Sequence, residues 1–290
     1  MLVSDLIKKV KLIELKTKKT NDFFMGQYHS SFKGRGMVFN EVRPYSFGDE
    51  IRMIDWNKTA HFNEPYVKVF EEERELTLML IIDISSSLNY GTRGGQTKRD
   101  TLIEICATLA FSCVNNHDKV GAILFSNKVD YYLPPNKGRK QVLKILRNII
   151  YYSENKSNTE TNIPEALSFF SKTNKRKTMA FILSDFENIN YETQLKKIAK
   201  KHDLSGIRIY DEKEQTFPNI GFVKMKDIET KEMKWVDTSS KEIQTYHKNY
   251  YEEVENYFVT SFSKNGMNSF SLKNNQDYIK PLLKFFKKFQ

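Results

Sequence analysis

The chain has 290 residues, 39% hydrophobic and 13% aromatic, with a net charge of +10. That apolar content is enough to bury the core of one large domain, or of a domain with an appended module, and it excludes a disordered chain. The longest apolar run, residues 78–82, is far below the roughly 20 residues that span a bilayer, residues 1–19 lack the uncharged stretch of a signal peptide, and two cysteines make no disulfide framework, so a cytoplasmic protein is expected.

In chain order, residues 3–16 read as an amphipathic helix, followed by a stretch rich in Gly, Arg and aromatic residues with little periodicity. Residues 1–75 are therefore expected to be an N-terminal arm or small module. From residue 76 onward, short β-branched segments alternate with longer amphipathic ones, the pattern of a doubly wound, mostly parallel α/β sheet over residues 76–290. The strands fall at 76–83, 119–125, 178–184, 206–210 and 269–272, and the helices at 99–115, 139–151, 163–173, 190–202, 241–263 and 278–289. Two segments break the alternation, 128–133 and the pair 220–225 with 233–237. Both read as short strands added at an edge, the second able to form a hairpin around 229–231. Cys106 and Cys113 share one helical face and read as buried, reduced thiols.

The strand at 76–83 ends in Asp83-Ile84-Ser85-Ser86-Ser87. One carboxylate and two hydroxyls at alternate positions lie just past a strand's C-terminal end, where parallel sheets bind ligands. Hard oxygen donors of this kind suit Mg²⁺, with Mn²⁺ or Ca²⁺ as alternatives. Neutral hydroxyls leave such an ion able to accept a carboxylate from outside. Short Asp and Ser clusters also make helix caps and turns, so the motif alone is weak. Two further loops strengthen it: Thr161 just before a helix, and Asp185 at the end of another strand.

Asp83-x-Ser85-x-Ser87, then Thr161, then Asp185, resembles the metal-ion-dependent adhesion site of von Willebrand factor A domains. The resemblance implies that the two serines and the threonine ligate the ion, that the aspartates act mostly through water, and that an acidic side chain of a protein partner completes the shell. Glu160 stands where that family often has a small residue.

Upstream, Gly34-x-Gly36, Arg43-x-Tyr45, Gly48-Asp49 and Arg52-x-Ile54-Asp55-Trp56 alternate charges of opposite sign around aromatic residues. Acids beside arginines keep their charged form, which suits an ion-pair network more than proton transfer. The network is expected to gather around Trp56 as an aromatic anchor and to dock the arm beside the sheet. This segment, ahead of a von Willebrand A-like domain, resembles the bacterial domain-of-unknown-function family fifty-eight, with His61 where the family commonly has arginine. That resemblance implies an adaptor or chaperone-like partner of a MoxR-type AAA ATPase, or a binder of its client.

The rival readings are weaker. The loop at 91–98 is Gly-rich and basic but lacks the spacing that cradles phosphates, and reads as a flexible loop beside the metal site. The five histidines are scattered. No nucleophile elbow occurs, so a non-enzymatic module is the leading expectation, with a metal-dependent hydrolase or a nucleic-acid-binding protein as the alternatives. Lysines are spread along the chain, which disfavours a nucleic-acid face.

Overall fold

The computed structural model describes residues 37–72, 76–89, 91, 96–155, 160–216, 219–226 and 233–287. The expected helix at 3–16, the Gly34-x-Gly36 pair, residues 92–95 of the loop at 91–98 and the hairpin tip at 229–231 lie outside them. β3 (Thr77–Asp83) shows why the sheet forms. Leu78, Leu80 and Ile82 enter one buried cluster while Met79 and Ile81 enter another. A strand apolar on both sides is stable only with helices over both faces.

Parallel partners extend β3 on either side: β4 (Lys119–Phe125) on one, and on the other β6 (Met179–Ser184), β7 (Asp203–Tyr210) and β10 (Asn268–Lys273). β5 (Val129–Asn136) closes the β4 edge antiparallel, giving the order β10-β7-β6-β3-β4-β5. One face is covered by α2 (Lys98–Asn115), α3 (Arg139–Asn155) and α8 (Ile279–Lys287). The other is covered by α4 (Ile163–Thr173), α5 (Glu192–Ala199) and α7 (Lys241–Lys264). This is the expected doubly wound, mostly parallel α/β sheet. The chain leaves β3 for β4 and later crosses to β6 on the other flank, so the ends of β3 and β6 border the crevice where such sheets take ligands.

Two boundaries differ from expectation at one place. α5 stops at Ala199 and β7 begins at Asp203, three residues before Gly206. Gly206 is interior to the strand: a Cβ there would lie 2.6 Å from Phe262 Cζ and 2.8 Å from Phe258 Cε2, so glycine lets α7 approach the sheet. The segment after β7 and the one-turn helix α6 (Glu212–Gln215) also differs from expectation. Among the described residues β8 (Phe222–Lys226) and β9 (Met233–Asp237) pair only with each other, while β5 does join the main edge. Phe222, Met233 and Trp235 are exposed, so this hairpin has no apolar face buried against the sheet. Cys106 and Cys113 are free and buried, and burial raises both thiols above the ordinary range.

Residues 37–72 form a separate two-stranded sheet. β1 (Met37–Pro44) pairs antiparallel with β2 (Tyr66–Glu72), and a 3-10 turn (Ile51–Met53) and α1 (Trp56–Phe62) lie between them. Asp55 caps α1 by accepting from the Asn57 and Lys58 amides.

Candidate functional site

Ile82 pairs with Leu183, which puts Asp83 beside Ser184 at the C-terminal ends of adjacent strands. Asp83 is 1% exposed. Its Oδ2 accepts from Ser184 Oγ at 2.6 Å and its Oδ1 from the Ser85 amide at 2.8 Å. Burial, with the neighbouring Asp185 adding, pushes the Asp83 carboxyl up to about 7, against the hydrogen bonds from Ser184 and Ser85. Past the strand the chain turns through a short 3-10 segment, Ser86–Asn89, which brings Ser85 Oγ and Ser87 Oγ to 3.0 Å. Two oxygens on adjacent corners of a magnesium octahedron stand about 3 Å apart, from metal–oxygen distances near 2.1 Å.

Thr161 comes from the loop before α4. Its carbonyl accepts from Asn188 Nδ2 at 2.5 Å, which ties it to the loop following Asp185. The next residue, Asn162, donates its amide to Ser126 O just past β4 and caps α4 through Glu165. The loops after β4 and β6 and the loop before α4 are thus fastened at one edge. The Thr161 Oγ1 atom is buried and, among the described residues, has no hydrogen-bond partner. A buried hydroxyl without a partner costs about 1–3 kcal/mol, and a cation would supply one. Among the described residues no three His, Cys, Asp or Glu side chains are grouped to hold a metal. A centre here would depend on the hydroxyls of Ser85, Ser87 and Thr161, and those donors fit a hard divalent ion.

Asp185 is 2% exposed and held from two sides. Arg208, buried in β7, donates from Nε to the Asp185 carbonyl at 3.0 Å, pairs with Glu255 and lies over the Tyr210 ring. Phe186 follows with φ of 55°, a left-handed conformation that a bulky residue rarely takes. Its ring packs 4.5 Å from Phe258, which keeps the turn in place. On the side-chain end, Lys98 Nζ lies 3.2 Å from Asp185 Oδ2, 2.8 Å from Glu214 Oε1 and 3.9 Å from Glu187 Oε1.

Neither Lys98 nor Arg208 belongs to the sequence-derived set. Lys98 stood at the end of a stretch read as a flexible loop. Instead it is the first residue of α2, behind a Thr97–Asp100 capping box, and it is fully buried. The Thr97-x-x-Asp100 spacing signals that helix start; nothing in the spacing points the lysine at Asp185. Arg208 interrupts an apolar strand, a pattern that does mark a charge needing a buried partner.

The N-terminal signature is arranged differently from expectation. Arg43 forks onto Asp49, with 2.8 Å from each terminal nitrogen to a carboxylate oxygen, and the Ser46 amide donates to the same acid. Gly48, at φ of 107°, permits the turn between them, and the Tyr45 amide donates to Pro65 O. Asp55 is 3.6 Å from Lys68, while Arg52 makes no ion pair among the described residues. Trp56 is 67% exposed, so it anchors nothing: its helix turns it outward while Asp55 is held back as the cap. The polar contacts of Arg43, Asp49, Asp55 and Thr59 all close within residues 43–68.

Residues 41–256 match the family described as "Protein of unknown function DUF58". The chain belongs to this family. Within reach of the DUF58 match, an uncharacterized protein of Mycobacterium bovis is 28% identical over 223 residues, 76% of this chain and 70% of the relative. Among solved structures, an aerotolerance-related membrane protein from Bacteroides fragilis is 14% identical with a TM-score of 0.49, covering 73% of this chain and 99% of that one. A von Willebrand factor type A protein from Catenulispora acidiphila is 9% identical with a TM-score of 0.41, covering 77% of this chain and 43% of that one. Among the described residues no helix of this DUF58 protein is long and apolar enough to cross a membrane.

Proposed function

We propose that this protein is a non-enzymatic, metal-dependent binding module. In this reading Ser85, Ser87 and Thr161 ligate Mg²⁺, or Mn²⁺ or Ca²⁺ in its place, Asp83 and Asp185 support the ion, and an acidic side chain of a protein partner completes the shell. The observation that carries the reading is the hydroxyl pair of Ser85 and Ser87, 3.0 Å apart above a buried carboxylate. An ion held by neutral hydroxyls keeps most of its charge for an incoming carboxylate. The bound ion would supply that attraction, and the protein's own groups would fix its position. We further propose a MoxR-type AAA ATPase, or that ATPase's client, as the partner, acting in the cytoplasm.

The reading is tested by capture of a purified MoxR-type ATPase on the immobilised protein in Mg²⁺ and in chelator. Binding is expected in Mg²⁺, lost in chelator and lost in a folded Asp83→Ala variant. Undiminished capture by that variant would contradict the role given to this edge.

A further inference from the structure

Lys98 sits where a lysine is costly. It is the first residue of α2, at the positive end of the helix dipole, and it is fully buried. Three carboxylates offset that cost: Asp185 at 3.2 Å, Glu214 at 2.8 Å and Glu187 at 3.9 Å. Burial alone pulls the ammonium down, and these acids outweigh it, so Lys98 stays charged. Burial pushes Glu214 up, with Lys98 opposing and Asp185 adding.

An ammonium has no lone pair for a cation, so Lys98 is no ligand. It nevertheless holds one oxygen of Asp185, a residue of the candidate metal set. Asp185, Glu187 and Glu214 outnumber it, so the cluster can take further positive charge. A divalent ion at the Ser85 and Ser87 hydroxyls repels the ammonium and competes with it for Asp185. Glu214 and Glu187 give the ammonium another hold when it yields.

We propose that Lys98 is a positioning residue that acts as a resident counter-cation: it holds Asp185 while the edge is empty, passes to Glu214 when a divalent ion enters, and thereby sets how tightly the ion binds. This rests on the metal-binding reading above. Two consequences have opposite sign. Without the ammonium, Asp185 is released to the ion. With Glu214 neutralised, the ammonium is left more firmly on Asp185 and the ion is disfavoured.

The test is calorimetric titration of Mg²⁺ into the full chain, comparing the natural sequence with Lys98→Met, Glu214→Gln and the Ser85→Ala, Ser87→Ala pair, each first checked for folding by circular dichroism. Lys98→Met is expected to bind about tenfold more tightly and Glu214→Gln a few-fold more weakly, well below the roughly thousandfold of a bare unit charge about 4 Å away, because the flanking acids offset much of the ammonium's charge. A merely structural role would weaken both. Should Lys98→Met not fold, a folded Lys98→Gln variant takes its place, and unchanged or weaker binding by it overturns the proposal. Equal affinity of Lys98→Met and the natural chain overturns the role of Lys98 while leaving the metal site standing. Binding by Lys98→Met with none by the natural chain supports it in its strongest form. Absence of binding in every variant overturns both readings.

Discussion

In the hairpin of residues 37–72, Arg43 and Asp49 pair at 2.8 Å with side chains 41% and 19% exposed; at the sheet edge, Lys98 and Asp185 pair at 3.2 Å with 0% and 3%. The hairpin pair is the shorter and is bidentate, yet water screens it, and exposed pairs contribute little. The edge pair is desolvated, so its two charges depend on each other. What decides the consequence of an ion pair here is where the chain buries it. The hairpin's acids fix a turn and cap a helix. The edge's acids take buried partners instead, Lys98 for Asp185 and Ser184 for Asp83.

The largest effect expected from breaking this contrast is at Lys98. Lys98→Met removes one member of a buried ion cluster and leaves its acids unpaired, a change that costs about 3–5 kcal/mol in such settings. Denaturant unfolding of the metal-free protein measures it. Ser184→Ala comes next: it removes the 2.6 Å bond to Asp83 and is expected to cost about 1–3 kcal/mol by the same measurement. Asp49→Asn in the hairpin is expected to shift the unfolding midpoint only slightly, and a shift as large as that of Ser184→Ala would break the comparison.

A pH series sharpens the contrast because the two regions have opposite signs. Burial raises Asp83 to about 7 from the ordinary carboxylate value of 3.8, so the folded state holds this proton more tightly. Its contribution is fully present below about pH 4 and is lost as pH rises through about 7. Asp49 is lowered by Arg43 and then by the Ser46 amide, and Asp55 by the Lys58 amide. Their contributions are present above the ordinary carboxylate value and are lost as pH falls through the lowered one. In chelator, Asp83→Asn is expected to flatten the decline in stability toward pH 7, while Asp49→Asn is expected to leave that limb unaltered.

The sheet was legible because its strands are apolar on both faces, and residues 119–125 carry no boundary ambiguity. The β7 boundary was obscured by Gly206, whose glycine serves α7 packing and not a turn. The β8–β9 pairing was visible as alternation, but its detachment from the sheet was not, since an exposed hairpin and an edge strand share one local pattern. At the site, the order Asp83, Ser85, Ser87, Thr161 and Asp185 could be read from motif spacing. Lys98 and Arg208 could not be assigned to Asp185, because contacts 87 and 23 residues apart in the chain depend on how three strands and a helix start converge. Trp56 was misjudged for a related reason: a large aromatic residue among charges suggests an anchor, and only the orientation of α1 shows it facing outward.

We propose that hydroxyls at the sheet edge hold a divalent ion. The most direct test is calorimetric titration of Mg²⁺ and Mn²⁺ into the natural chain and into a folded Ser85→Ala, Ser87→Ala variant. The account predicts one saturable site in the natural chain and none in the variant. Equal binding by both, or no binding by the natural chain and by Lys98→Met alike, would contradict it.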